Sequence, residues 1–248
     1  MGKKIIDLNL PTSCLRYSFL NLMQNHKSKK TNKIQLIQRK EVWVITWQGW
    51  IIIIISLIAS TILIIGNIYP FLAVNAPVKA DVLVVEGWLP DYAVDSAIAE
   101  FKKGGYSKLI TTGLPVGKGY YLAEYKNYAE LTAASCIVRG LDKDKLIAVP
   151  APYVIKYRTT ASAIALKDWL ATSDLKVKSI NIYTLGAHAR RSWMLFKAVL
   201  SPEVEVGVIA GKAEDYDRQL WWNSSTGFRT VINEVIAYIY ASFMGWKA

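Results

Sequence analysis

The pattern of hydrophobic and polar positions divides this chain into three stretches of different texture. Residues 1–41 mix polar and apolar positions with weak periodicity. Residues 42–68 read VWVITWQGWIIIIISLIASTILIIGNI, and no Asp, Glu, Lys or Arg occurs between Glu41 and Lys79. At a helical rise of about 1.5 Å per residue this run reaches roughly 40 Å, longer than a hydrocarbon core of about 30 Å. Five consecutive isoleucines, Ile51 to Ile55, deny it a polar face, and such a helix belongs in lipid or in the middle of a large core. Trp43, Trp47 and Trp50 at one end and Tyr69 at the other suit the two interfaces of a bilayer. The pattern therefore predicts one N-terminal transmembrane helix over 42–69, ended at Tyr69-Pro70, then a short linker over 70–79.

From Ala80 onward, short β-branched runs alternate with helical spacing. Asp81-Val82-Leu83-Val84-Val85 is apolar on both faces, as a central parallel strand should be. Further strands are expected at 108–112, 145–149, 179–184 and 205–209. Helices are expected at 91–103, 121–139, 159–171, 187–200 and 227–244. In the first of these, Val94, Ala97, Ile98 and Phe101 fall on one stripe that Gly104-Gly105 ends. Arg229 and Glu234 interrupt the otherwise apolar last helix, which argues against a second span. Strict alternation of strand and helix predicts one α/β domain over 80–248, with a mostly parallel five-stranded sheet covered on both faces.

Charge changes the picture once it is placed on this map. The net charge of +11 resembles a nucleic-acid footprint. However, residues 1–41 hold nine Lys or Arg against two acidic residues, a surplus of seven that leaves only +4 for the rest. The excess is a basic cytoplasmic tail beside the span, suited to anionic headgroups, and no nucleic acid is expected as a partner. By the positive-inside rule the N-terminus stays cytoplasmic and the α/β domain is exported, with 42–69 acting as an uncleaved signal anchor. Cys14 and Cys136 fall on opposite sides of that anchor, so no disulfide framework is expected, and Cys136 reads as a core residue. Cys/His spacing of a metal site is absent, and no cofactor is implied.

In open α/β sheets ligands bind beyond the carboxyl ends of the strands. That rule selects Glu86 and Gly87 after the first strand, and Thr112 and Gly113 after the second. It also selects Thr159 and Ser162 at the entrance of the helix after the third, and His188, Arg190 and Arg191 after the fourth. An imidazole and guanidiniums at a helix start favour an anion such as phosphate or carboxylate. Plainer roles stay open: Glu86 as a cap of the next turn, Thr159 as a helix N-cap, Arg190 as a solvated charge. Neither a G-x-x-x-x-G-K-[ST] phosphate loop nor a G-x-S-x-G elbow occurs.

Three blocks resemble the DUF218, or YdcF-like, family over roughly residues 80–200. They are Asp81-Val82-Leu83-Val84-Val85-Glu86-Gly87, Thr159-Thr160-Ala161-Ser162-Ala163 and Thr184-Leu185-Gly186-Ala187-His188-Ala189-Arg190-Arg191. Glu86 stands where leucine is usual, Trp88 where glycine is usual, and Ser162 where asparagine is common, which marks a divergent branch. The resemblance implies a Rossmann-like fold, a site containing His188 and Arg191 beside Thr159, and a membrane-anchored role in envelope biogenesis. Its implied ligand is phosphorylated or lipid-linked and of carbohydrate type, met in the periplasm at the inner membrane. The expected chemistry is acid/base work by His188 with Glu86 orienting it or activating water, and Arg191 holding an anionic group. The other expectation is a non-catalytic anchored assembly factor that uses Trp221-Trp222 as its contact surface.

Overall fold

The structure, a computed structural model, describes residues 41–244. The basic tail, with its expected headgroup contacts and Cys14, lies outside the described residues. Helix α1 (Trp47–Leu72) is followed by β1 (Val82–Glu86), α2 (Asp91–Gly104), β2 (Lys108–Gly113) and α3 (Tyr128–Val138). The chain continues as β3 (Leu146–Pro150), α4 (Arg158–Thr172), β4 (Ser179–Leu185), α5 (Ala189–Leu200), β5 (Glu205–Gly211) and α6 (Ser225–Met244). The five strands form one all-parallel sheet in the order β3-β2-β1-β4-β5, so the domain is α/β and Rossmann-like.

Strand alternation explains the three layers. Val82 and Val84 face one side, where they pack with Ile180 and Ile182, with Leu166 of α4 and with Phe196 of α5. Leu83 and Val85 face the other, against Val94 and Ile98 of α2 and Cys136 of α3. Fully burying each such side chain contributes roughly 1.5–3 kcal/mol, which is why β1 has no solvated face. The expected helical stripe of α2 is buried as spaced, and Gly105 ends the helix with φ 71°.

Helix α3 differs from its expected span. It starts at Tyr128 rather than near 121, because the Asn127 side chain accepts a 2.8 Å hydrogen bond from the Glu130 N–H and caps it there. Tyr121 and Leu122, which mimic a helical stripe, are almost fully exposed in the preceding loop.

Ile51 onward belongs to one compact unit with the α/β domain. Helix α1 is long and apolar enough to cross a membrane, with a mean hydropathy of 2.7 over its best window and none of that window buried. Its last turns behave differently. Tyr69 and Leu72 are buried with Ala187, Ala213, Tyr216, Trp221 and Val231, just beyond the carboxyl ends of β4 and β5. Trp221 Nε1 donates to the Ile65 carbonyl, and the Arg190 guanidinium lies 4.0 Å over the Phe71 ring while donating to the Phe71 carbonyl. This packing carries the helix through Pro70 to Leu72, past the point where a proline alone would stop it. Trp221 thus seats α1 and is buried, while Trp222 remains exposed.

The segment from 73 to 81 is pinned along the sheet. Ala76 bridges antiparallel to Val208, and Val78 exchanges hydrogen bonds of 2.9 and 2.8 Å with the buried side chain of Asn181. Gly207 permits this crossing: a Cβ there would sit 2.1 Å from Asn181 Oδ1 and 2.6 Å from the Val78 nitrogen. The chain therefore descends from the carboxyl edge to the amino edge before β1 begins. Helix α1 meets the domain at the carboxyl edge.

Candidate functional site

Strand β1 pairs with β2 on one side and β4 on the other, so the gap between the carboxyl ends of β1 and β4 is the topological switch point. Glu86 is the last residue of β1. Strand β4 runs through a 3-10 turn, Gly186–His188, directly into α5. The register places Glu86 and His188 together, with Glu86 Oε2 3.7 Å from His188 Nε2. Ser192 Oγ, one turn into α5, donates to the same carboxylate oxygen at 3.0 Å. Glu86 does not cap the turn after β1; its side chain is buried beneath the start of α5.

A fourth group comes from α6. Glu234 Oε1 lies 2.8 Å from His188 Nδ1, and its Oε2 accepts from Arg191 Nε at 2.9 Å. Arg191 Nη2 also donates to Glu234 Oε1 at 3.1 Å, which makes the pair bidentate. Arg191 Nη1 points to Thr159 Oγ1 at 3.4 Å. Thr159 is not the N-cap, since α4 begins at Arg158 after Tyr157, whose φ of 59° places it in the left-handed region. The Trp88 ring meets the His188 ring edge-on at 4.9 Å.

These distances set the protonation states. Burial alone disfavours the charged imidazole, but the carboxylates of Glu86 and Glu234 on either side outweigh it and raise His188 to about 9. Burial likewise disfavours the Glu234 carboxylate, and hydrogen bonds and charge from His188 and Arg191 overcome it, lowering Glu234 to about 2. Glu86 is also held below the usual carboxylate range, its burial opposed chiefly by the His188 charge. At neutral pH the cluster is two anions against two cations. His188 is held toward the imidazolium, its Nδ1 2.8 Å from Glu234 Oε1 and 2.9 Å from Arg191 Nη2 and its Nε2 facing Glu86. It is available as an acid rather than as a base.

The cluster forms the floor of a cavity of about 1150 Å³ at the carboxyl edge. Thr112, Thr159, Thr160 and Ser162 line it, and all four are buried. The hydroxyls of Thr112 and Thr160 have no hydrogen-bond partner among the described residues, nor does His188 Nε2. Buried polar atoms normally find partners, so the two hydroxyls are candidates for a ligand contact, whereas Nε2 faces Glu86 at 3.7 Å. Lys156 and Arg158 stand on the cavity wall and tip its charge positive against Glu86 and Glu234.

Gly113 also lines the cavity, but its space is taken by α3: a Cβ would lie 2.7 Å from Tyr128 Cβ. Gly87 is absent from the cavity lining and is pressed to within 2.5 Å, measured from where its Cβ would stand, of the Tyr128 carbonyl oxygen. Its close approach serves helix packing. Arg190 is spent on Phe71 of α1. Cys136 is fully buried, and burial pushes its thiol up to about 11, far from a reactive thiolate.

Glu234 is the group that reading along the chain overlooks, because there it counts only as an interruption of an apolar helix. The signal was present. A lone carboxylate among apolar positions of a packed helix costs several kcal/mol unless a cation meets it.

No protein-family model matches this chain, and no curated protein matches it. What the geometry defines is a class: a Rossmann-like α/β domain with an ionised cluster at its switch point, joined to a helix long and apolar enough to cross a membrane.

Proposed function

We propose that the carboxyl-edge cavity binds the phosphate of a carbohydrate-type ligand, soluble or lipid-linked, in the envelope of a bacterium. In this reading α1 anchors the protein in the inner membrane, the basic tail is cytoplasmic and the α/β domain is periplasmic. The carrying observation is the pair of unpartnered buried hydroxyls, Thr112 Oγ1 and Thr160 Oγ1, beside the start of α4. Free N–H groups at a helix start, two hydroxyls and the Nη1 edge of Arg191 suit phosphate oxygens. The resemblance of three blocks to the DUF218 family supports the same choice. If the ligand is also hydrolysed, water attacks phosphorus and the P–O bond to the leaving oxygen breaks. In that step His188 gives that oxygen a proton and regains one from the attacking water, while Glu86 keeps the imidazolium charged and oriented.

A second reading is an anchored assembly factor without catalysis. It draws on the internal charge balance of the cluster, which is how a purely structural network also looks. The two separate on binding. Full-length protein in detergent is titrated with glucose 1-phosphate and with inorganic phosphate, following the thermal midpoint. The ligand reading expects a rising midpoint in the wild type. It also expects at least ~10-fold weaker binding when Thr112→Val and Thr160→Val are combined, at about one lost hydrogen bond each. No response to either phosphate, or an equal response in the double variant, rejects that reading and leaves the assembly factor.

A further inference from the structure

The cavity and the anchor share their supports. Helix α6 presents Glu234, Ile236, Ala237 and Tyr240 to the cavity, and packs Val231, Ile232, Val235 and Tyr238 with the last turns of α1. The turn that carries His188 also carries Ala187, which is buried against Tyr69 and Leu72 of α1. The last turns of α1 meet the domain at the carboxyl edge, the edge that also holds the cavity.

The rim of the cavity is apolar where it meets solvent, while the charged loop after β5, with Glu214, Asp215, Asp217 and Arg218 exposed, lies beside it on the same edge. Tyr153 is 73% exposed, Ile155 82%, Ile236 60% and Tyr240 47%, and all four line the cavity. Phe243 and Met244 extend this surface along α6 at 86% and 62%. Lys156 and Arg158 lie among them, and the Tyr157 and Tyr240 hydroxyls meet at 3.3 Å across the gap between loop and helix. Aromatic rings with basic side chains between them are the composition of a membrane–water interface. The opposite edge exposes Asp81, Lys143, Asp144, Lys178 and Glu205, charges of both signs that suit water.

We infer that the carboxyl edge rests on the bilayer and that the ligand is an amphiphile drawn from it. Its phosphate sits on Thr112, Thr160 and Arg191. Its apolar chain leaves past Ile236 and Tyr240 on one side and Tyr153 and Ile155 on the other. A volume of about 1150 Å³ exceeds what a phosphate alone fills and leaves room for the first part of a chain. This inference rests on the phosphate reading above and selects the lipid-linked form of the ligand over the soluble one.

The test compares dodecyl phosphate, glucose 1-phosphate and inorganic phosphate on full-length protein in nanodiscs. Dodecyl phosphate is expected to bind at least ~100-fold tighter than the other two, since each buried methylene multiplies affinity about fourfold. Replacing Ile155→Ser and Ile236→Ser together should weaken dodecyl phosphate by at least ~10-fold and leave inorganic phosphate unchanged. In a Cys14→Ser background, an environment-sensitive dye on Ile155→Cys should emit as in lipid, and one on Asp144→Cys as in water. If glucose 1-phosphate binds as tightly as dodecyl phosphate, if the double variant weakens both equally, or if the two dye positions emit alike, the inference is overturned while the phosphate site stands. Binding of none of the three phosphates overturns both.

Discussion

The two ends of β1 each carry a carboxylate, and they are put to opposite uses. Asp81, at the amino end, is exposed and accepts from the Lys178 N–H at 2.9 Å, the Ser179 N–H at 3.1 Å and Ser179 Oγ at 3.2 Å. Those bonds, first among them that of Lys178, hold its carboxyl below the usual range. All three bonds fall on Oδ2 and tie Asp81 to the start of β4, where it meets no group that changes charge. Glu86, at the carboxyl end, is buried and meets groups that change charge or move protons, His188 and Ser192. The difference follows from the parallel sheet. Helix starts gather at the carboxyl edge with N–H groups facing outward, so a buried carboxylate there finds cations and donors. At the amino edge a carboxylate closes backbone ends and faces water.

The comparison breaks most visibly at Glu234, the carboxylate that completes the carboxyl-edge cluster. Glu234→Ala leaves two cations against Glu86 alone in a largely buried place. Removing one partner of such a network is expected to cost roughly 3 kcal/mol of stability, read from urea denaturation of the protein in detergent. Glu234→Gln keeps the shape and isolates the charge, and it should cost less while releasing the His188 proton at lower pH. If Glu234→Ala unfolds at the wild-type urea midpoint, the cluster is no more than a surface pairing.

The second effect is a pH limb that the amino end cannot produce. His188 has its folded pKa raised to about 9 from an ordinary 6.5, so its contribution is fully present below about 6.5 and is lost as pH rises through about 9. Glu234 is lowered to about 2, so its contribution is present above its ordinary 4.5 and is lost as pH falls through about 2. Glu86 and Asp81 shift in the same direction as Glu234 and act on the acid side only. Stability should therefore be greatest between about pH 4.5 and 6.5, with a decline toward about pH 9 that His188→Gln removes. A decline of equal size in the His188→Gln variant would place its origin elsewhere.

How much of this was legible in the chain depends on how local each cause is. The strand Val82 to Val85 is apolar on both faces whatever surrounds it, so the buried centre of the sheet is readable from spacing alone. Glu86, Thr112, Thr159, Ser162, His188 and Arg191 follow from one further rule, that strand ends in a parallel sheet face the ligand, and the fold brings them to one cavity. Glu234 required knowing that α6 folds back over the start of α5, a contact between residues 43 and 46 positions apart. The late start of α3 was hidden because Tyr121 and Leu122 copy the spacing of a stripe while facing solvent. Residues 75–79 have linker composition, and it is the Ala76–Val208 bridge and the buried amide of Asn181 that tie them to the sheet.

The smallest expected effect belongs to Asp81, and it sharpens the contrast because it should be separable. Asp81→Asn keeps one acceptor oxygen in place and removes the charge, so some of its bonds to Lys178 and Ser179 survive. Hydrogen bonds at an exposed edge are worth about 1 kcal/mol net, and the substitution is expected to cost no more than that in urea denaturation. Phosphate binding and the alkaline limb should be unchanged, since no group at the amino end touches His188. A loss of binding with intact stability would mean that the start of β4 sets the position of His188, seven residues and a turn further on. In that case the two ends of β1 would form one mechanical unit rather than a structural end and a chemical one.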